Sequence, residues 1–171
     1  MSGMLFNLYI NDLPECLKYL KTSMYAYDAK LFATCSNESE KLMIQEDLDR
    51  LHEWCCKWRL RLNAQKCFYL QYKPTNSQQD FSNFEINGVP LTKKDSTSYL
   101  GIVVSANLKC HEQVALVCKK ANREINIIRR SLKSRNHTFL SNMYKMHVRP
   151  HLEYCVQVWN PVYSGDGNLM E

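Results

Sequence analysis

No stretch of the 171 residues reaches the roughly 18 to 20 consecutive apolar residues that span a bilayer, and the N-terminus has no charged segment followed by a signal-like apolar core. No membrane partner and no secretion are expected, so the chain is read as intracellular, nuclear or cytoplasmic. Glycine and proline are scarce, five of each, and neither an internal repeat nor a low-complexity tract occurs. Repeat and linker-type chains are thereby excluded. Eight cysteines stand at 16, 35, 55, 56, 67, 110, 118 and 155, yet no Cys-x-x-Cys pair is among them. They are read as reduced core or surface thiols rather than as a zinc site or disulfide framework. His147, His151 and Cys155 recur at intervals of four, the spacing of one helical face, but Pro150 interrupts that face and favours a structural reading.

Acidic residues are what the region before the C-terminus lacks. Residues 1 to 106 carry 12 Lys or Arg against 12 Asp or Glu, residues 107 to 151 carry 10 against 2, and residues 152 to 171 carry none against 3. The formal net charge of +5 therefore originates in one stretch, whose acids are Glu112 and Glu124 alone. Clustering of this kind suits an extended polyanion better than it suits general solubility.

At this length the chain can form a core, burying about two-thirds of its unfolded surface if it folds alone. Residues 4 to 11 read as the last turns of a buried helix without a start signal of its own, stopped at Asn11-Asp12-Leu13-Pro14. Two short strands are expected around Tyr27-Asp28. A long helix starts at Asn37, the expected N-cap, with Glu40 in the capping-box position. Ile44, Leu48, Leu51, Cys55, Trp58 and Leu62 step by three and four residues and form its apolar stripe, which makes Trp54 and Trp58 core residues rather than a base-stacking platform.

A strand at 68 to 72 follows, then a polar linker from 74 to 83. Asn87-Gly88 predicts a tight hairpin turn, and a further strand is expected over 98 to 104. From Asn107 the pattern turns helical, with Val114, Val117, Ala121, Ile125, Ile128 and Leu132 as a second stripe. A helix from about 138 to 149 and a last helical piece over 151 to 159 complete the chain. The order predicts an α+β fold with a mainly antiparallel sheet packed on helices. Lys119, Lys120, Arg123, Arg130 and Lys133 project opposite the second stripe, with Arg129 near its edge, and form a candidate nucleic-acid-binding face.

Several motifs occur in a telling order. They are Leu5 to Pro14, Tyr25-Ala26-Tyr27-Asp28, Trp54 with Trp58, Leu62-Asn63-Ala64-Gln65-Lys66-Cys67, Tyr99-Leu100-Gly101-Ile102, and Pro150-His151-Leu152-Glu153-Tyr154 running into Val158-Trp159. This series resembles the second half of the polymerase core of reverse transcriptases from non-LTR (LINE, jockey-like) retrotransposons, over nearly the whole chain. The resemblance implies a partial right-hand polymerase palm at 1 to 104 and a helical thumb with C-terminal tail at 105 to 171. The implied parent activity is RNA-directed DNA polymerisation during target-primed retrotransposition, with Mg2+ as cofactor and RNA or an RNA–DNA duplex as partner.

In that family the hairpin reads Tyr-Ala-Asp-Asp. By position Asp28 matches its second aspartate, a remnant catalytic and metal-binding carboxylate, while Tyr27 stands where the first belongs. A phenol with a pKa near 10 is a poor magnesium ligand. Lys66 follows the Leu62-Asn63 pair at a spacing that resembles the motif whose lysine is taken to assist pyrophosphate departure, or is a solvated lysine just before a strand. Gly101 lies in a segment resembling the one that positions the primer end, where glycine permits close backbone approach or marks a bulge. The resemblance further implies that the fingers, an upstream palm aspartate and a Gly-Pro-Gln-Gly-type loop lie outside this chain. Three readings stand at this level: an inactive polymerase fragment that binds no metal by itself, a non-catalytic nucleic-acid-binding module, and a degenerate element remnant without selected function.

Overall fold

The computed structural model describes residues 3–26, 28–63, 66–73, 81–132 and 136–160. Two compact units divide the chain, Met1–Gln71 with Asn76–Lys94 and Tyr72–Thr75 with Asp95–Glu171. Both mix helix and strand. Among the described residues no helix is long and apolar enough to cross a membrane.

The first unit is organised by its longest helix. A short helix, α1 (Gly3–Tyr9), leads into a 3-10 turn at Leu13–Cys16 whose first turn takes Pro14, where a missing N–H costs nothing. Strands β1 (Lys21–Tyr25) and β2 (Asp28–Phe32) pair antiparallel and precede α2 (Glu38–Lys57). Asn37 caps α2 as its sequence predicts: its side-chain oxygen accepts the Glu40 N–H at 2.8 Å. The Glu40 carboxylate reaches back to the Ser36 N–H at 2.6 Å, one residue before the N-cap N–H that a reciprocal capping box uses. At the other end Leu60 N–H bonds Cys55 C=O and Arg59 N–H bonds Cys56 C=O, with Arg59 left-handed at φ 54°. These two bonds form a Schellman closure, with a charged residue where glycine is usual.

One side of α2 carries the core. Leu51, Trp54 and Cys55 are buried with Ile10, Leu13 and Leu17, while Ile44 and Leu48 are buried with Phe81 and Phe84. Each such side chain contributes roughly 1.5–3 kcal/mol on leaving water. The predicted stripe thus holds through Cys55. Trp58 is half-buried and Leu62 is exposed, because the helix ends at Lys57 before their register can apply.

Sequence and structure part company at α1. Its pattern predicts a buried helix, but Met4, Leu5 and Leu8 are 78%, 57% and 71% exposed. Only Phe6, Tyr9 and the following Ile10 reach the α2 core, where the Tyr9 hydroxyl donates to the Trp58 carbonyl.

The sheet expectation also needs correction. Among the described residues the strands make four separate two-stranded ladders rather than one mainly antiparallel sheet. In the first unit, besides β1–β2, β3 (Phe68–Tyr69) pairs parallel with β6 (Thr92–Lys93), and β4 (Glu85–Ile86) pairs antiparallel with β5 (Val89–Pro90). Two-residue strands offer too few ladder bonds to join a wider sheet, so helix packing carries the core instead. The β4–β5 turn is as read: Asn87 and Gly88 both have positive φ, 52° and 71°. Gln45 of α2 docks this ladder by accepting from the Glu85 N–H at 3.1 Å and donating to its carbonyl at 3.0 Å. The predicted strand at 68 to 72 shrinks to β3, and most of the predicted 74-to-83 linker, residues 74–80, lies outside the described residues.

In the second unit the predicted single strand at 98 to 104 is a hairpin, β7 (Ser96–Tyr99) against β8 (Ile102–Ser105). The reason is local: Leu100 and Gly101 both adopt left-handed φ, 48° and 83°, and reverse the chain. Helix α3 (His111–Ser131) packs on β8 with Val114, Val117 and Ala121 buried. Gln113, also buried, accepts the Val103 N–H at 2.8 Å and ties helix to ladder. Helix α4 (His137–Met143) continues through a π-helical turn at Tyr144–Val148 into α5 (Arg149–Glu153). Pro150 therefore does not end the helix; the widened turn before it absorbs the lost N–H. Cys155 breaks the helix in left-handed conformation, and α6 (Val156–Trp159) delivers Trp159 to the cluster of Ile102, Val114 and Val117.

Candidate functional site

The Tyr25–Asp28 segment is the turn of the β1–β2 ladder, whose register runs from Lys21↔Phe32 to Tyr25↔Asp28. Directly opposed residues share a face and alternate along each strand. Thr22, Met24, Ala29 and Leu31 therefore lie on one side, from which Met24 and Leu31 pack on the α2 core. Lys21, Ser23, Tyr25, Asp28, Lys30 and Phe32 share the other side, and all six are exposed. Asp28 is the sole carboxylate within residues 21 to 32. Ala26 turns the chain with φ 51°, a left-handed value that an L-residue adopts at a cost. Tyr27 lies outside the described residues. A shallow cleft of about 460 Å³ borders the turn, lined by Asn7, Ile10, Asn11, Met24, Tyr25 and Ala26.

What holds the entry to this hairpin is a group the sequence reading missed. Asp47 lies on the buried side of α2 with 0% of its side chain exposed. Its carboxylate accepts three successive backbone N–H groups, Lys18 at 3.0 Å, Tyr19 at 2.6 Å and Leu20 at 2.7 Å, and a guanidinium N–H of Arg50 at 2.5 Å. Burial alone pushes its pKa up, but the three backbone donors and Arg50 outweigh that and hold it below the ordinary carboxylate value. The signal was present in the sequence: position 47 falls between Ile44, Leu48 and Leu51 on the apolar stripe, and Arg50 follows at i+3. An acid at a core position calls for partners.

Lys66 is exposed in a turn closed by its own N–H to Asn63 C=O at 2.9 Å, just before β3; Ala64 and Gln65 of that motif lie outside the described residues. Burial raises Cys67 above the usual thiol value and pushes Cys55 up to about 11.

The remaining candidates belong to the second unit. Gly101 is the second turn residue of the β7–β8 hairpin, in neither a strand interior nor a bulge, and a Cβ built on it would stand 3.4 Å from the Tyr154 ring. The Tyr154 hydroxyl donates to the Leu100 carbonyl at 3.0 Å. On α3, Lys119, Lys120, Arg123, Arg129 and Arg130 are all exposed. At ~100° per residue Lys119, Arg123 and Arg130 lie opposite the buried Val114-Val117-Ala121 stripe, flanked by Lys120 and Arg129. Lys119 to Arg130 covers ~16 Å of helix axis, about five base-pair steps of a duplex. Lys133 lies outside the described residues. Cys155, at the left-handed break after α5, leaves the helical face that would have joined it to His147 and His151. The structure thus groups Asp28 and Lys66 in one unit, and Gly101 and the basic residues of α3 in the other.

Residues 1–104 match the sequence profile of a family described as reverse transcriptase (RNA-dependent DNA polymerase). The chain is 31% identical over 130 residues, 74% of its length, to the RNA-directed DNA polymerase from mobile element jockey of Drosophila funebris, and 25% identical over 119 residues to the protein of the same description in Drosophila melanogaster. A probable RNA-directed DNA polymerase from transposon BS of Drosophila melanogaster is 26% identical over 188 aligned positions that cover the whole chain. The chain spans 14%, 13% and 20% of the lengths of these three curated relatives. No solved structure matches it. A profile covering more than half of the chain, joined to the hairpin at Tyr25–Asp28, establishes that this chain belongs to the reverse transcriptase family and is a fragment of the jockey-like non-LTR retrotransposon kind.

Proposed function

We propose that residues 1 to about 104 are part of a polymerase palm, that residues from about 105 to 171 form its helical thumb, and that this chain by itself binds RNA or an RNA–DNA duplex without polymerising. The observation that carries the binding half is the α3 surface: five exposed cations on the sides away from a buried apolar stripe, with Glu112 and Glu124 as the only acids of the stretch. Side chains of this kind contact phosphates without reading sequence. Lys133 belongs to the same proposed surface, and the exposed turn at Gly101 is its proposed companion in the second unit.

The relatives are described as RNA-directed DNA polymerases, and enzymes of this family work with magnesium. Nucleotidyl transfer places divalent ions between several carboxylates, which activate the attacking hydroxyl and carry the charge of the phosphate in flight. The donor set of this chain does not fit that requirement. Its hairpin supplies Asp28 alone, with a tyrosine at position 27, and among the described residues no group of three potential ligands converges. No step through a metal follows from these residues, and Lys66 then has no leaving group to assist.

Filter binding of the purified chain to an RNA–DNA duplex tests the reading. Binding is expected at low salt, falling as salt rises with a slope of about −0.9 per phosphate contacted. Reversing Lys119, Lys120 and Arg123 to Glu is expected to abolish it without unfolding the chain. Absence of binding at low salt overturns the interface, and magnesium-dependent primer extension by the purified chain overturns the non-catalytic assignment.

A further inference from the structure

We propose that Asp47 is the pin that positions the β1–β2 hairpin: one carboxylate on α2 gathers the three backbone N–H groups of residues 18–20, immediately before β1, and fixes the direction in which the Tyr25–Asp28 turn is presented. The inference does not depend on the palm assignment or on nucleic-acid binding.

The geometry explains why a charge is kept in a core. After the 3-10 turn ends at Cys16, the chain must travel from Leu17, buried against α2, to Lys21, where the ladder with β2 begins. The N–H groups of Lys18, Tyr19 and Leu20 fall between the two hydrogen-bonding systems and point at α2. Without Asp47 three donors would face the protein interior with no acceptor, and each unsatisfied buried group is costly. One ionised carboxylate has the lone pairs to satisfy all three and still accept from Arg50. An asparagine that set its oxygen on the three backbone donors would turn its N–H2 group toward Arg50 and the shared Lys18 N–H, and so lose the ion pair that holds the side chain in place.

The charged neighbours of Asp47 are few. On α2, Arg50 contacts it directly and is itself held by Glu46 at 3.0 Å. On the 3-10 turn, Cys16 lies close enough that burial first and the Asp47 charge second raise its thiol pKa, so Cys16 is neutral across the working range. Lys18 and Tyr19 present main chain, and the Lys18 side chain is exposed. The pin is therefore governed by one ionisation. Its folded pKa is depressed, so its contribution is complete above the ordinary carboxylate value and is lost as pH falls through the lower, folded value.

Amide exchange and amide chemical shifts of the full 171-residue chain test this. In Asp47→Asn, exchange at residues 18–20 and through β1–β2 is expected to rise on the order of ten-fold or more, while β7–β8 in the other unit is unchanged. If β1–β2 stays protected while residues 18–20 open, the carboxylate merely caps the segment and the proposal falls. Should the variant fail to fold, the unaltered chain carries the test. On acidification the amides of residues 18–20 and of β1–β2 are expected to shift together with one midpoint below the ordinary carboxylate value, and Arg50→Gln is expected to raise that midpoint. A midpoint at the ordinary value, or a hairpin that does not respond, overturns the proposal.

Discussion

At the scale of single residues, adjacent positions in one motif do different work. Val158 and Trp159 stand side by side in the C-terminal motif, yet Val158 is 61% exposed and Trp159 is 1% exposed. The left-handed break at Cys155 sets the phase of α6, and that phase sends the indole inward against Ile102, Val114 and Val117, where its N–H donates to the Tyr154 carbonyl at 2.8 Å. Trp159→Ala is expected to lower stability by about 3–5 kcal/mol in denaturant unfolding, whereas Val158→Ala should stay within about 0.5 kcal/mol. The asymmetry was not legible in the sequence, because the phase of so short a helix depends on a backbone reversal at a non-glycine residue. The Asn37 cap was legible, since a cap is satisfied within four residues of itself. Asp47 falls between these cases: its spacing marked it as a core position, but its three donors lie 27 to 29 residues earlier in the chain.

At the scale of elements, the two long helices were read well where burial enforces their period, through Cys55 of α2 and Ala121 of α3, whereas short α1 was not. Among the strands, the hairpins at Tyr25–Asp28 and Asn87-Gly88 were legible, whereas the single strand expected over 98 to 104 was not. The Tyr99–Ile102 segment has the composition of one strand, and its reversal rests on two successive left-handed residues of which Leu100 gives no signal. The end of α2 presents the same kind of residue: Arg59 holds the left-handed position of a Schellman closure at φ 54°. Glycine adopts that conformation freely, and Leu60 already packs on the apolar cluster that holds Cys55, as such a closure favours. Arg59→Gly is therefore expected to stabilise the first unit by about 0.5–1 kcal/mol, seen as a higher denaturant midpoint with an unchanged slope. The gain comes from relieved backbone strain, and Arg59→Ala, which keeps a Cβ, should not reproduce it.

At the scale of the whole molecule the question is whether net charge or its placement would carry the proposed polyanion binding. The chain bears +5 overall, and its excess originates in residues 107 to 151. A purely global effect would follow net charge wherever it is changed, whereas a phosphate-contacting face responds only to the residues that make contacts. Two double reversals separate these accounts at equal net charge. Lys119→Glu with Arg123→Glu removes two cations from the exposed side of α3, and Lys57→Glu with Arg61→Glu removes two exposed cations at and beyond the end of α2. Each pair lowers the net charge by four. The α3 pair is expected to weaken duplex binding at moderate salt and to flatten the salt dependence by about two units of slope, as loss of two phosphate contacts requires. The α2 pair should leave the slope unchanged and alter affinity only at the lowest salt, where screening is weakest. Equal losses from both pairs would show that binding follows charge alone and would remove α3 as an interface. Unequal losses in the expected direction would identify the exposed side of α3 as the surface that contacts phosphate.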